Sequence, residues 1–191
     1  IGEIRAAFNL AELMPGDEQV EHAREALSAP SARLMETVGS AIREDLGRVK
    51  DVLDIFQRKT DLAVMEAGDK EPVQGGTLYF AAPGYHLLVE ADMTLSLSQD
   101  EAMHFSRPSI DVLFESAADA WGDRVAGILL TGANEDGAAG LEAIKRAGGL
   151  TVVQEPGEAE VSTMPLAALQ RFAPDYILPL RDIHRLLRDL E

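Results

Sequence analysis

Residues 125–154 read VAGILLTGANEDGAAGLEAIKRAGGLTVVQ. An apolar run, VAGILL, leads into a loop of small and acidic residues. A stretch with helical spacing follows and ends in the paired Gly148 and Gly149, after which comes a second apolar run, LTVVQ. Strand, helix and strand at these lengths make a βαβ crossover, and a crossover of that kind belongs to a parallel sheet. Both apolar runs are nearly free of polar residues, which predicts strands covered on both faces. Ligands of open parallel sheets bind outside the carboxyl ends of the strands. The loops TGANEDG and EPGEAEVSTMP therefore point to one edge of the sheet, and Asp136 stands in the first of them.

Outward from this unit the alternation continues. TMPLAALQRF reads as a helix, DYILPL as a strand and RDIHRLLRDL as a final helix. Upstream, SIDVLFESAADAWG has helical spacing through Ile110, Leu113, Phe114, Ala117 and Trp121, with Ser109 as the expected cap and Gly122 as the expected stop. LAVMEA, TLYFAA, HLLVEA and TLSLS are short apolar or alternating runs separated by Gly, Pro and Asp, which reads as strands and hairpins. Before Thr60 the texture changes to Ala, Glu, Arg and Leu. Val38, Ile42, Val49, Val52, Leu53 and Phe56 recur at helical spacings, with Pro30 marking a break. The expected architecture is a doubly wound α/β fold, mainly parallel, with helices on both faces. An amphipathic helical segment (residues 1–54) precedes a domain over residues 55–191.

Composition narrows the function. Hydrophobic residues make up 46% and charged residues 26% of the 191, which is a globular balance. Seventeen Lys and Arg against 33 Asp and Glu leave a formal charge of −16, a surface that repels phosphate backbones and anionic lipid. Nucleic acid and membrane are excluded as general partners. With no cysteine there is no disulfide, thiolate nucleophile or Cys-ligated zinc. No apolar run approaches the roughly 20 residues of a membrane helix, and no secretory signal is visible. The chain reads as cytoplasmic, with no cofactor and no metal expected.

TGANEDGAAG is neither a dinucleotide fingerprint, since its Gly spacing is wrong, nor a P-loop, since no Lys-Ser/Thr follows the last glycine. Two readings of Asp136 remain. One is a carboxylate closing its own helix, a cap worth about 0.5–2 kcal/mol. The other is a carboxylate that orients a reacting group.

Three stretches occur in family order: VMEAGDKEPVQGGTLYFAAPGYHLLVE, then HFSRPSIDVLFESAADAWGDRVAGILLTGANEDGAAGLEAIKRAGGLTVVQ, then VSTMPLAAL. On these the chain resembles, from about residue 55 to residue 190, the catalytic domain of the CheB-type chemotaxis protein-glutamate methylesterases. The resemblance implies a cytoplasmic hydrolase of γ-glutamyl methyl esters on methylated chemoreceptors, working by a Ser-His-Asp triad on a doubly wound domain. Asp136, in the TGxxxDGxxGL context, falls on the family's triad aspartate, which accepts a hydrogen bond from the imidazole and fixes its tautomer. Ala133 stands where the family usually has a methionine near its oxyanion site. His86 matches the histidine of the family's APGxxH turn. His104 and Arg107 are expected near the mouth of the site, Arg107 as a contact for acidic receptor segments. Thr131, Ala133 and Met164 complete the expected site surroundings.

The other two triad members have no match. The family's I-G-x-S-x-G-G turn corresponds to IGEIRAAFNL, which lacks the serine and the glycines, and no Q-H-M-P stretch occurs. Ser40 lacks paired glycines and reads as a helix-surface serine. Without an activated nucleophile there is no acyl-enzyme route, so catalysis by the chain is left open. The alternative is a non-enzymatic module that binds a receptor or another signalling protein through its N-terminal helices. A sheet without its first strands would expose a bare edge, and residues 16–56 are the expected cover. An α/β hydrolase of other specificity is not supported, because no G-x-S-x-G elbow occurs.

Overall fold

The computed structural model describes residues 5–7 and 46–189. The expected helical turns around Val38 and Ile42, the break at Pro30, and Ser40 lie outside the described residues. What is described is an α/β fold with parallel and antiparallel pairings flanked by helices.

The elements run in order as β1 (Arg5–Ala7), α1 (Leu46–Gln57), β2 (Ala63–Glu66), β3 (Thr77–Phe80), β4 (His86–Val89) and β5 (Leu95–Ser98). Then come α2 (Ile110–Trp121), β6 (Val125–Leu129), α3 (Ala138–Arg146), β7 (Leu150–Gln154), α4 (Thr163–Arg171), β8 (Tyr176–Leu178) and α5 (Leu180–Asp189). Strands β1, β6, β7 and β8 form one four-stranded sheet in that order, with every pairing parallel. The crossover read from residues 125–154 is thus β6–α3–β7.

Two expectations are corrected here. Residues 1–54 were expected to be helical, yet Arg5–Ala7 is a strand whose Ala6 pairs with Ala126. Among the described residues this strand lies along β6 at the edge of the sheet, and residues 16–45 of the expected cover lie outside the described residues. A run as short as Arg-Ala-Ala has no apolar alternation to announce a strand; its partner supplies the hydrogen bonds. The second correction concerns β2 and β3, which pair in parallel rather than as a hairpin, with residues 67–76 as the connection. Among the described strands, β4 and β5 pair antiparallel. Val52 and Phe56 of α1 pack on Phe80 of β3. The Phe56 and Phe80 rings meet edge to face at 5.1 Å.

Alternate residues of β6 serve different clusters. Leu129 joins Ile110, Phe114, Leu141 and Ile144 between the sheet, α2 and α3. Ile128 and Leu130 join Val152 and Ile183 beneath α5. This is the two-sided burial that the apolar run predicts. Gly127 lies against α3, where a Cβ would come within 2.6 Å of Leu141 Cδ1. Helix α2 begins at Ser109 and ends at Gly122 (φ 59°), as its sequence indicates.

Candidate functional site

The loop after β6 turns back on itself through Asn134, whose Oδ1 accepts the Asp136 N–H at 3.0 Å. This Asx turn drives the Asp136 side chain inward, and the residue is 0% exposed. Helix α3 then starts at Gly137 (φ 92°), with no side-chain cap. A side chain at 137 would strike Ile110 and Leu129.

Asp136 therefore does not close its own helix. Its carboxylate crosses to the start of α2. Oδ1 accepts the Ser109 hydroxyl at 2.7 Å and the Asp111 N–H at 3.0 Å, while Oδ2 accepts the Ile110 N–H at 2.8 Å. A buried carboxylate requires such donors, and the partial positive charge at the first turn of α2 adds to them. The exchange is reciprocal. Asp111, the second residue of α2, accepts the N–H of Gly140 in the first turn of α3 at 2.7 Å. Each helix start is capped by the other's carboxylate. Gly140 permits the approach, since a Cβ there would lie 2.6 Å from Phe114 Cβ and 2.9 Å from the Asp111 carbonyl oxygen.

Burial raises the Asp111 pKa above its usual value. The Gly140 N–H opposes the rise, and the neighbouring Asp136 charge reinforces it. His104 stands over this pair. Its Nε2 lies 3.3 Å from Asp111 Oδ2, and its Nδ1 lies 3.6 Å from Glu135 Oε1. The ring is delivered by a two-residue turn. Met103 and Ser106 exchange both backbone hydrogen bonds, and His104 (φ 48°) and Phe105 (φ 64°) both adopt left-handed conformations between them. Phe105 projects fully into solvent.

One ligand atom from each of His104, Asp111 and Asp136 lies within 4.8 Å of the others, the grouping from which a cation site could be built. The two carboxylates, however, already accept N–H donors from two helix starts, whose partial positive charge opposes a cation. The donor set suits an imidazole better than a metal ion.

Of the other expected site residues, His86 joins this network through Ser109. His86 is buried, with Nδ1 accepting the Ser109 N–H at 3.2 Å and Nε2 3.1 Å from the Glu101 carbonyl oxygen. Arg107 Nη1 donates to the carbonyls of Gln99 and Asp100, both at 2.9 Å. Thr131 stitches the two carboxyl-edge loops together. Its N–H donates to Gln154 Oε1 at 2.8 Å, its hydroxyl donates to the Val161 carbonyl at 3.1 Å, and its Oγ1 accepts the Val161 N–H. Met164 is buried beneath Gly132 and donates its N–H to the Gly132 carbonyl at 3.1 Å. Ala133 is exposed.

The family model of the CheB methylesterases matches residues 44–187. The chain belongs to this family. A Leptospira interrogans relative of the protein-glutamate methylesterase/protein-glutamine glutaminase type is 47% identical over 137 residues, covering 72% of this chain and 71% of that one. The Myxococcus xanthus protein-glutamate methylesterase FrzG is 39% identical over 128 residues, 67% of this chain and 38% of FrzG. In three dimensions the chain is similar to the CheB methylesterase catalytic domain of Thermotoga maritima. The TM-score is 0.73 at 26% identity, covering 78% of this chain and 80% of that one.

Three contributors to the Asp136 cluster are not legible in the sequence. Ser109 was legible as a helix cap, but its bond to Asp136 was not. Asp111 looks like any acid in a first helical turn, and Gly140 like any small residue in a helix. Nothing within a few residues of either announces a partner 29 positions away.

Proposed function

We propose that the chain is a protein-glutamate methylesterase-type domain of cytoplasmic chemosensory signalling, residues 55–191, acting on methylated chemoreceptors. The reaction is hydrolysis of a γ-glutamyl methyl ester, in which water and ester give a glutamate carboxylate, methanol and a proton. The observation that supports this reading is Asp136: a fully buried carboxylate at the carboxyl edge of β6, held by backbone and hydroxyl donors, with a His104 ring nitrogen within 4.8 Å of one of its oxygens. Of its two oxygens, Oδ2 takes a single described donor, Ile110 N–H, against two on Oδ1. Oδ2 is therefore the oxygen suited to receive an imidazole N–H, fix its tautomer and stabilise the imidazolium, Asp136 being the one triad member that the chain's motifs identify. His104 is a described histidine whose ring reaches this cluster.

A second reading is favoured by a specific observation. The hydrogen bonds described to the Asp136 carboxylate come from Ser109 and the first turn of α2, which is what a structural lock requires. Together with the unmatched nucleophile turn, this supports a CheB-like module that binds a receptor or signalling partner through its N-terminal segment. Methanol release from methylated receptor separates the two. The esterase reading expects turnover by the wild type that is lost in Asp136→Asn while circular dichroism stays native. Retention of receptor binding with no methanol from the wild type would establish the binding module.

A further inference from the structure

We propose that Ser109 and His86 are positioning residues that set the orientation of the Asp136 carboxylate. This rests on the reading of Asp136 as the acidic member of an acyl-transfer site. The argument begins at His86, which is 1% exposed at the start of β4. Its two ring nitrogens face groups of opposite kind. The Ser109 N–H can only donate, so Nδ1, 3.2 Å away, carries no proton. The Glu101 carbonyl can only accept, so the ring proton sits on Nε2, 3.1 Å from that oxygen. The imidazole is thereby held in one tautomer and ties the loop ahead of α2 to the backbone of Ser109.

Ser109 is gripped from a second side. Its Oγ accepts the Val112 N–H at 3.5 Å and directs its own proton to Asp136 Oδ1 at 2.7 Å. A continuous chain thus runs from the Glu101 carbonyl through the His86 ring and the Ser109 backbone and hydroxyl to Oδ1. With Ser109 and Asp111 both on Oδ1, the carboxylate cannot rotate about its Cβ–Cγ bond without breaking two donors at once. That rotation decides where Oδ2 points, and hence which way an imidazole bound to it would face. A group that orients the base acts on turnover rather than on substrate affinity.

The test uses the full chain. In a long-range proton–nitrogen spectrum, His86 shows the Nε2–H tautomer at neutral pH. Ser109→Ala and His86→Leu each shift the carboxyl carbon resonance of Asp136 and lower kcat for methanol release about tenfold, with KM unchanged. His86→Gln keeps an acceptor and a donor flanking one carbon, as in the ring, and restores both readouts. Should His86→Leu fail to fold, Ser109→Ala and His86→Gln carry the comparison. An Nδ1–H or doubly protonated ring would overturn the proposal. So would an Asp136 resonance and a kcat that Ser109→Ala leaves in place. A wild type that releases no methanol defeats the esterase reading, while the tautomer and the carboxyl resonance still decide whether the chain of bonds orients Asp136.

Discussion

The two loops at the carboxyl edge of the sheet use the same device to different effect. After β6, Asp136 sends its carboxylate to the first turn of α2. After β7, Glu158 sends its carboxylate to the first turn of α5, where Oε2 accepts the Leu180 N–H at 2.9 Å. Asp136 is wholly buried with three donors, whereas Glu158 is exposed with one described. Water can replace the partner of Glu158 but cannot reach those of Asp136. Position at a strand's carboxyl end thus does not by itself make a site. Burial, and the number of donors that burial obliges, turns one loop into a fixed carboxylate and leaves the other an acidic surface.

If that distinction is right, Asp136→Ala has the largest effect of any change at this edge. Three donors are left buried without an acceptor, and unfolding in urea should show a loss of at least about 3 kcal/mol. A loss below about 1 kcal/mol would mean that water enters the α2–α3 junction, and the contrast would collapse. Next is Gly140→Ala. Its Cβ would meet backbone at Asp111, which cannot swing aside, so α2 and α3 must separate at a cost of about 1–3 kcal/mol in the same assay.

A smaller effect should appear as a pH slope. Burial raises the Asp111 pKa in the folded chain, so the native state holds its proton to higher pH than the unfolded state does. Stability must then fall as pH rises from the ordinary carboxyl value of 3.8 through the raised folded value, with the full cost present above it. Asp111→Asn keeps an oxygen for the Gly140 N–H and removes the charge, and should flatten that part of the profile measured by urea unfolding. An unchanged slope would show that Asp111 is not the group responsible. Smallest of all, Glu158→Ala should cost no more than about 0.5–1 kcal/mol and fade with added salt, because an exposed helix-start carboxylate is screened.

Much of the frame was readable before any coordinates. VAGILL and LTVVQ, apolar along their length, indicated covered parallel strands, and Ser109 and Gly122 marked the ends of α2 where the structure has them. These signals are local: strand composition, helical spacing and cap chemistry act within a few residues. Of the runs read as strands and hairpins, β4 and β5 form a hairpin and β2 and β3 do not, because short apolar runs do not encode pairing direction. The strand at Arg5–Ala7 was missed because three residues are too few to show a period.

The site divides in the same way. From the sequence came the carboxyl-edge loop, the family and the singling out of Asp136. Only the tertiary structure decided that Asp136 caps a helix other than its own, that Asp111 returns the favour, and that His86 is a buried anchor. Those contacts join residues 23 to 29 positions apart. A buried polar group takes whichever partner the packing brings within about 3 Å. That choice is made by how α2 and α3 lie against each other, which no local pattern of residues records.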